Sequence, residues 1–262
     1  MTLIRKQSGF TIIELMVSML IGLLLIAGIL SVFVNSKRSY NTRDSLSLME
    51  ENGRVAILRL QRGIAPAGYP LYDDLVPVLF TGTTIAGVDV SSNGADGVSD
   101  RVTVAFRPTG INTSDCLGSE EVQDGFIVNS YYVTANNTLN CDGGASGLSQ
   151  PLAEGVESLQ AMFGVDEKAD GFADHYLNAD QVEAAIAGDA EVQLSVVSVQ
   201  LSLLVNSQQL AKDAKPSDDG VTPKTYTLLD TTVTEPDDLL ARKVYTTTIP
   251  LRNRMPLCDD CV

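Results

Sequence analysis

Histidine is almost absent: His175 is the only one in 262 residues. It has no adjacent set of catalytic partners, so it reads as a surface or packing residue rather than a general base. No GxxxxGK[ST] loop, GxSxG elbow or HExxH helix occurs in the chain. Thr81–Gly87 (TGTTIAG) spaces its glycines five apart, but no lysine follows to hold a phosphate. These absences predict that the protein is not an enzyme. Proline is missing until Pro66, so nothing in the first 65 residues forces a helix to break. Cations are scarce after residue 62. Residues 1–62 hold eight Lys/Arg against four Asp/Glu and are +4; the remaining 200 hold ten against 29 and are −19. So acidic a head argues against a nucleic-acid partner, because phosphate contacts need clustered cations.

Charge is also missing from one long stretch. From Ile12 to Val34 the only ionisable side chain is Glu14. The run Gly9–Val34 (GFTIIELMVSMLIGLLLIAGILSVFV) exceeds the 20 or so apolar residues needed to cross a bilayer as a helix. It reads as a membrane span with Arg5 and Lys6 just before it. A cleavable secretory signal would have a shorter apolar core, and Asn35–Arg38 is a poor cleavage site. Glu14 is the oddity. A carboxylate inside an apolar run costs a few kcal/mol unless it is neutralised, and the next cation is Lys37. Glu14 therefore sits near the headgroups, as in an ordinary signal anchor, or has a partner beyond its own helix's side chains.

Beyond the span, Leu46, Met49, Gly53, Ala56 and Leu60 recur at spacings of three and four, one helical face. Arg43, Glu50, Glu51, Arg54 and Arg62 mark the opposite face. The span therefore continues outward as one rod from Phe10 to about Arg62, roughly 80 Å long, and its basic stem faces solvent and lipid headgroups. Gly63 and Pro66 end it. Residues 63–100 read as mostly loop. Strand patterns follow at Arg101–Arg107, Phe126–Val133, Val156–Val165, Val192–Val205, Tyr226–Leu229 and Arg242–Ile249, with a short helix at Asp180–Ala187. The expected fold is α+β: a long N-terminal helix, membrane-spanning in its first half, packed on a head with a mostly antiparallel β-sheet.

Four cysteines, Cys116, Cys141, Cys258 and Cys261, all lie in the head, and an even number suits an oxidising compartment. Three pairings are open, the simplest being 116–141 with 258–261; a zinc site or a redox CxxC is less favoured. Asp166, Asp170 and Asp174 lie in VDEKADGFADHY, whose D-x-x-x-D-G frame partly imitates a calcium loop. Lys168 at the third loop position and Leu177 where a bidentate glutamate belongs favour an acidic surface turn with no cofactor. Asn112 and Asn136 fit a glycosylation sequon that recurs by chance.

A basic leader, then Gly9, Phe10, Thr11 and Glu14, then an unbroken apolar helix resembles the class III signal of type IV prepilins. Three head segments, GVESLQAMFGVD (155–166), SVQLSLLVNS (198–207) and PLRNR (250–254), resemble PilW-type minor pilins. The resemblance implies a leader over 1–9, a transmembrane and stem helix over 10–62 and a periplasmic head over 63–262. It implies that prepilin peptidase cuts after Gly9 and methylates Phe10, whose ammonium pairs with Glu14 of a neighbouring subunit. The implied location is the inner membrane, then the pilus at the cell surface. The implied partners are other minor and major pilins, the peptidase, the inner-membrane assembly platform and the lipid bilayer. The expected function is initiation of pilus assembly at the tip; a type II secretion pseudopilin and a tip adhesin are the alternatives.

Overall fold

The computed structural model describes residues 9–69, 77–81, 85, 89–94, 98–110, 113–120, 122, 124–144, 148–188, 196–208, 223–236, 238 and 240–251. Helix α1 (Ile12–Ile64) runs for 53 residues without a break. Thr11 caps it in the extended conformation (φ −82°, ψ 150°), and Glu14 at the third position completes a capping box. The helix closes at Ala65, whose N–H still donates to the Gln61 carbonyl before Pro66 turns the chain away.

Its two halves differ in what they touch. The large apolar side chains from Ile12 to Val34 are all exposed, between 43% and 83%. In the second half Ser45, Met49, Gly53, Ala56, Leu60 and Ile64 are buried in one stripe. That stripe is the expected one, extended by Ile64 and shifted at its start. Ser45 takes the innermost place, its hydroxyl donating to the Asn41 carbonyl at 2.9 Å, and Leu46 packs half-buried beside the core.

Among the described residues the head holds two four-stranded antiparallel sheets, where a single sheet was expected, and a two-stranded ribbon. The first sheet is β1 (Val102–Phe106), β2 (Ile127–Thr134), β3 (Thr138–Asp142) and β4 (Ser149–Glu154) in sequential order. The second has the order β10-β7-β5-β6, from β5 (Val156–Val165), β6 (His175–Leu177), β7 (Val196–Asn206) and β10 (Arg242–Pro250). The ribbon pairs β8 (Thr225–Leu228) with β9 (Thr231–Thr234), and the short helix α2 spans Ala179–Gly188. The stem half of α1 packs against β2 and β4 of one sheet and β7 and β10 of the other. One core therefore joins both sheets to the helix, with Phe80 and Phe163 meeting edge to face at 4.9 Å inside it.

Three contacts weld the stem to β10. Lys243 Nζ reaches Glu50 Oε1 at 2.5 Å, Gln61 Nε2 donates to Thr247 Oγ1 at 2.9 Å, and the Tyr245 ring fills the space where a Cβ on Gly53 would sit. Glu50 is exposed as expected, but the Lys243 ammonium holds its carboxyl below the usual carboxylate range.

Asp100 ties the loop before β1 to the edge of β5. Its carboxylate accepts from the N–H groups of Gly94 and Ala161, both at 2.8 Å. Burial raises its pKa to about 6, with the donors opposing the rise and the charges of Asp230 and Asp180 adding to it. The folded chain thus holds a proton there that an unfolded chain releases near pH 4. Stability from this group is fully present below that pH and is lost as pH rises through 6, by up to about 3 kcal/mol. Denaturant unfolding at pH 4 and pH 7 should show wild type losing more stability on neutralisation than Asp100→Asn; equal losses would remove Asp100 as the cause.

Candidate processing site and assembly stem

The Gly9–Phe10 bond stands in exposed, non-helical chain one residue ahead of the helix cap. Phe10 is 88% exposed, and nothing lies within 4 Å of where a Cβ on Gly9 would be. A peptidase can take such a segment in extended form without unwinding the helix. Next to it, the Glu14 carboxylate has found its intrachain partner. Glu14 Oε2 accepts from the Thr11 N–H at 3.2 Å and from the Thr11 hydroxyl at 3.1 Å, while the Glu14 N–H donates back to Thr11 Oγ1 at 3.4 Å. Ser18 Oγ donates to the Glu14 carbonyl at 2.7 Å. Thr11 is thus a site residue that the residue-by-residue reading left without a role. Its signal, T-x-x-E at the head of an apolar run, was present in the sequence.

Arg5 and Lys6 lie outside the described residues. Lys37, Arg38 and Arg43 follow the apolar run on the same helix, and all three are exposed.

Cys116 and Cys141 form a disulfide with 6.5 Å between Cα atoms, closing a loop of 25 residues in sequence separation. Cys141 is fully buried on β3 and Cys116 packs beside it against the core. Cys258 and Cys261 lie outside the described residues. In the chain-entropy account, a loop of this size is worth roughly 3–4 kcal/mol. Replacing both Cys116 and Cys141 by serine should lower thermal stability by that amount, and reductant should do the same to wild type. A midpoint unchanged by either would remove the bridge as a stabiliser.

The acidic turn does not gather its carboxylates around a common point. Asp166 accepts from the N–H groups of Asp170 at 3.2 Å and Gly171 at 2.7 Å, and Asp170 accepts from Phe172 N–H at 3.0 Å. Asp174 pairs with Lys168 and accepts from the N–H of Glu167 at 3.0 Å. Among the described residues no group of three His, Cys, Asp or Glu is placed to hold a metal ion. His175 sits half-buried on β6, its Nε2 3.7 Å from Glu167.

The model of the prokaryotic N-terminal methylation motif matches residues 4–30, and that of type IV pilus-assembly protein W matches residues 126–253. Among solved structures, a type IV-like pilin from Thermus thermophilus is similar at 18% identity, with a TM-score of 0.43, over 81% of this chain and 96% of that one. No curated protein matches. The methylation match covers the Gly9–Phe10 bond, the capping box and most of the bare helix. The pilus-assembly match runs from Phe126, just ahead of β2, to beyond β10 and so takes in most of the sheet strands. The methylation motif over residues 4–30 and the pilus-assembly match over residues 126–253 make the chain similar to PilW-type type IV prepilins, and its N-terminal helix is apolar and long enough to cross a membrane.

Proposed function

We propose that the protein is a minor pilin that enters a type IV pilus and takes part in starting its assembly at the tip. One observation carries the reading: the first half of α1 is apolar and, among the described residues, left exposed, while the second half is buried against the head. Exposed apolar surface on this scale demands an apolar environment. The bilayer supplies it before assembly, and the stems of neighbouring pilins supply it in a filament. Prepilin peptidase cuts after Gly9 and methylates the Phe10 nitrogen. The head then stands in the periplasm while the inner-membrane assembly platform lifts the subunit into the fibre, among other minor and major pilins.

Two measurements test this. Mass spectrometry of the mature chain should find N-methylated Phe10 at the N-terminus; a chain still starting at Met1 in cells with active peptidase contradicts it. Deletion of the gene should sharply reduce the number of pili, and the intact chain should restore them. Normal piliation with loss of protein secretion would instead make the protein a type II pseudopilin. Normal pilus number with lost adhesion would make it a tip adhesin.

A further inference from the structure

Strand β10 forms one edge of its sheet, with β7 on its inner side. The Ser207 N–H donates to the Ala241 carbonyl at 3.0 Å, and the Leu251 N–H to the Val197 carbonyl at 2.8 Å. Both bonds lie in the register that pairs β10 with β7 from Arg242 to Pro250 without a shift. They fix its phase. Bonded and unbonded pairs alternate along an antiparallel ladder, so Lys243, Tyr245, Thr247 and Ile249 turn their N–H and C=O groups to β7. The N–H and C=O groups of Val244, Thr246 and Thr248 point away from it, and among the described residues none bonds them. Thr246 and Thr248 are exposed.

An open edge is a template for another chain, and proteins normally blunt it. The other edges of the two four-stranded sheets are blunted. Val78 and Ser92 bridge to Val104 and Arg101 on the outer side of β1. Strand β4 carries Pro151 and pairs through a register shift, and β6 has three residues. Strand β10 has nine residues and no bulge, and its proline stands at the last position. Its two cations do not guard the edge, because Arg242 is buried on Glu157 and Asp238 and Lys243 is held by Glu50. From Arg242 to Leu257 the chain has no acid, so another acidic head meets no like charge along this edge. The anchor sets direction. Glu50, Gly53 and Gln61 of α1 meet Lys243, Tyr245 and Thr247 of β10 in that order, so the two elements run the same way. Helix α1 leads out of the membrane, and β10 therefore runs outward too. A strand added antiparallel to it runs back towards the membrane, which β10 of a second anchored copy cannot do.

We infer that the free edge of β10 takes an extended segment from the head of another pilin, antiparallel to β10 and centred on Thr246. Main-chain hydrogen bonds to Val244, Thr246 and Thr248 supply the hold, as in other cases of strand addition to a sheet edge. The inference rests on the assembly reading, which supplies a neighbour anchored with the same polarity.

In detergent micelles the isolated mature chain should exchange the amide hydrogens of Val244, Thr246 and Thr248 rapidly, while those of Lys243, Tyr245, Thr247 and Ile249 stay protected. Protection at all of them would mean that the chain covers its own edge and would overturn the inference. In cells, a photo-crosslinking side chain at Thr246 should form an adduct with another pilin. Moving it to Thr248 should shift the adduct about two residues towards the partner's N-terminus, as antiparallel pairing requires. Thr248→Pro deletes an outward donor without touching a bond to β7, and should cut the adduct at Thr246 about tenfold. If that variant fails to fold, Thr248→Glu keeps the donor, sets a charge against the incoming acidic head, and should have the same effect. A shift towards the partner's C-terminus, adducts only within one chain or only to non-pilin proteins, or adducts indifferent to both substitutions would each overturn the inference. Normal pilus entry by a folded Thr248→Pro chain would overturn it too, yet leave the assembly reading intact, because Phe10 methylation and pilus number test that reading separately.

Discussion

Glu14→Ala should be cleaved and methylated normally yet enter filaments at less than about a tenth of the wild-type level. In the single chain the carboxylate is held only by neutral donors, the N–H and hydroxyl of Thr11. That arrangement satisfies hydrogen bonds but leaves a net charge at the edge of an apolar run, where a carboxylate costs about 2.5–3.5 kcal/mol at helix-centre depth and less near the interface. Cleavage after Gly9 would create an ammonium on Phe10, and pairing with a neighbour's ammonium would remove that charge. Cap and charge can be separated experimentally. Thr11→Val deletes the capping box, a loss of about 1 kcal/mol at an exposed helix end, and keeps the charge. Glu14→Gln keeps a hydrogen-bonding side chain and deletes the charge. Incorporation measured on sheared pili should fall for Glu14→Gln as for Glu14→Ala and stay high for Thr11→Val. The reverse order would mean that helix capping, not charge pairing, governs entry.

How much of this was legible in the sequence depends on where the burial comes from. The stem stripe was readable because one helix face carries it: Met49, Gly53, Ala56 and Leu60 are periodic by themselves. Strands β5 and β7 were readable because long β-branched and apolar runs mark them, and both lie inside a sheet. Strands β3 and β4 were not. TLNCD and SQPLAE are polar, and β4 carries Pro151, which only an edge strand tolerates. They are strands because the β2–β3 turn and the Cys116–Cys141 bridge hold them there. The division of the head into two sheets went unread for the same reason, because β3 and β4 complete the first of them. In the acidic turn spacing alone kept a calcium loop open beside the favoured surface turn, because carboxylates that cap backbone N–H groups in a tight turn have the same spacing as ligands for a hard cation.

Arg242→Ala should cost about 3–5 kcal/mol of stability, the largest loss expected from a single substitution in the head. The Arg242 side chain is fully buried at the start of β10. Its Nε and Nη2 form a fork on Glu157 at 2.6 and 2.7 Å, its Nη1 donates to Asp238 Oδ1 at 2.9 Å, and Nη2 also pairs with Asp238. Asn206 Nδ2 completes Glu157 at 2.7 Å. Removing the guanidinium leaves two carboxylates, 13% and 31% exposed at the side chain, without their cation, and that penalty exceeds the value of the pair itself. Lysine cannot rescue the site, because a point charge does not reproduce a planar fork facing two acids. Replacing Arg242, Glu157 and Asp238 together with apolar residues of similar volume should recover most of the loss, since then no charge is stranded. The effect should also travel. Strand β10 carries Lys243, Tyr245 and Thr247, the residues that hold the stem, so Arg242→Ala should loosen the joint between head and helix before the core of β5 and β7 opens. Hydrogen exchange should therefore show β10 amides losing protection ahead of β7 amides in the variant. A urea midpoint shifted by less than 1 kcal/mol equivalent, or loss of protection spread evenly over the sheet, would show that the triad is not what fixes β10 in place.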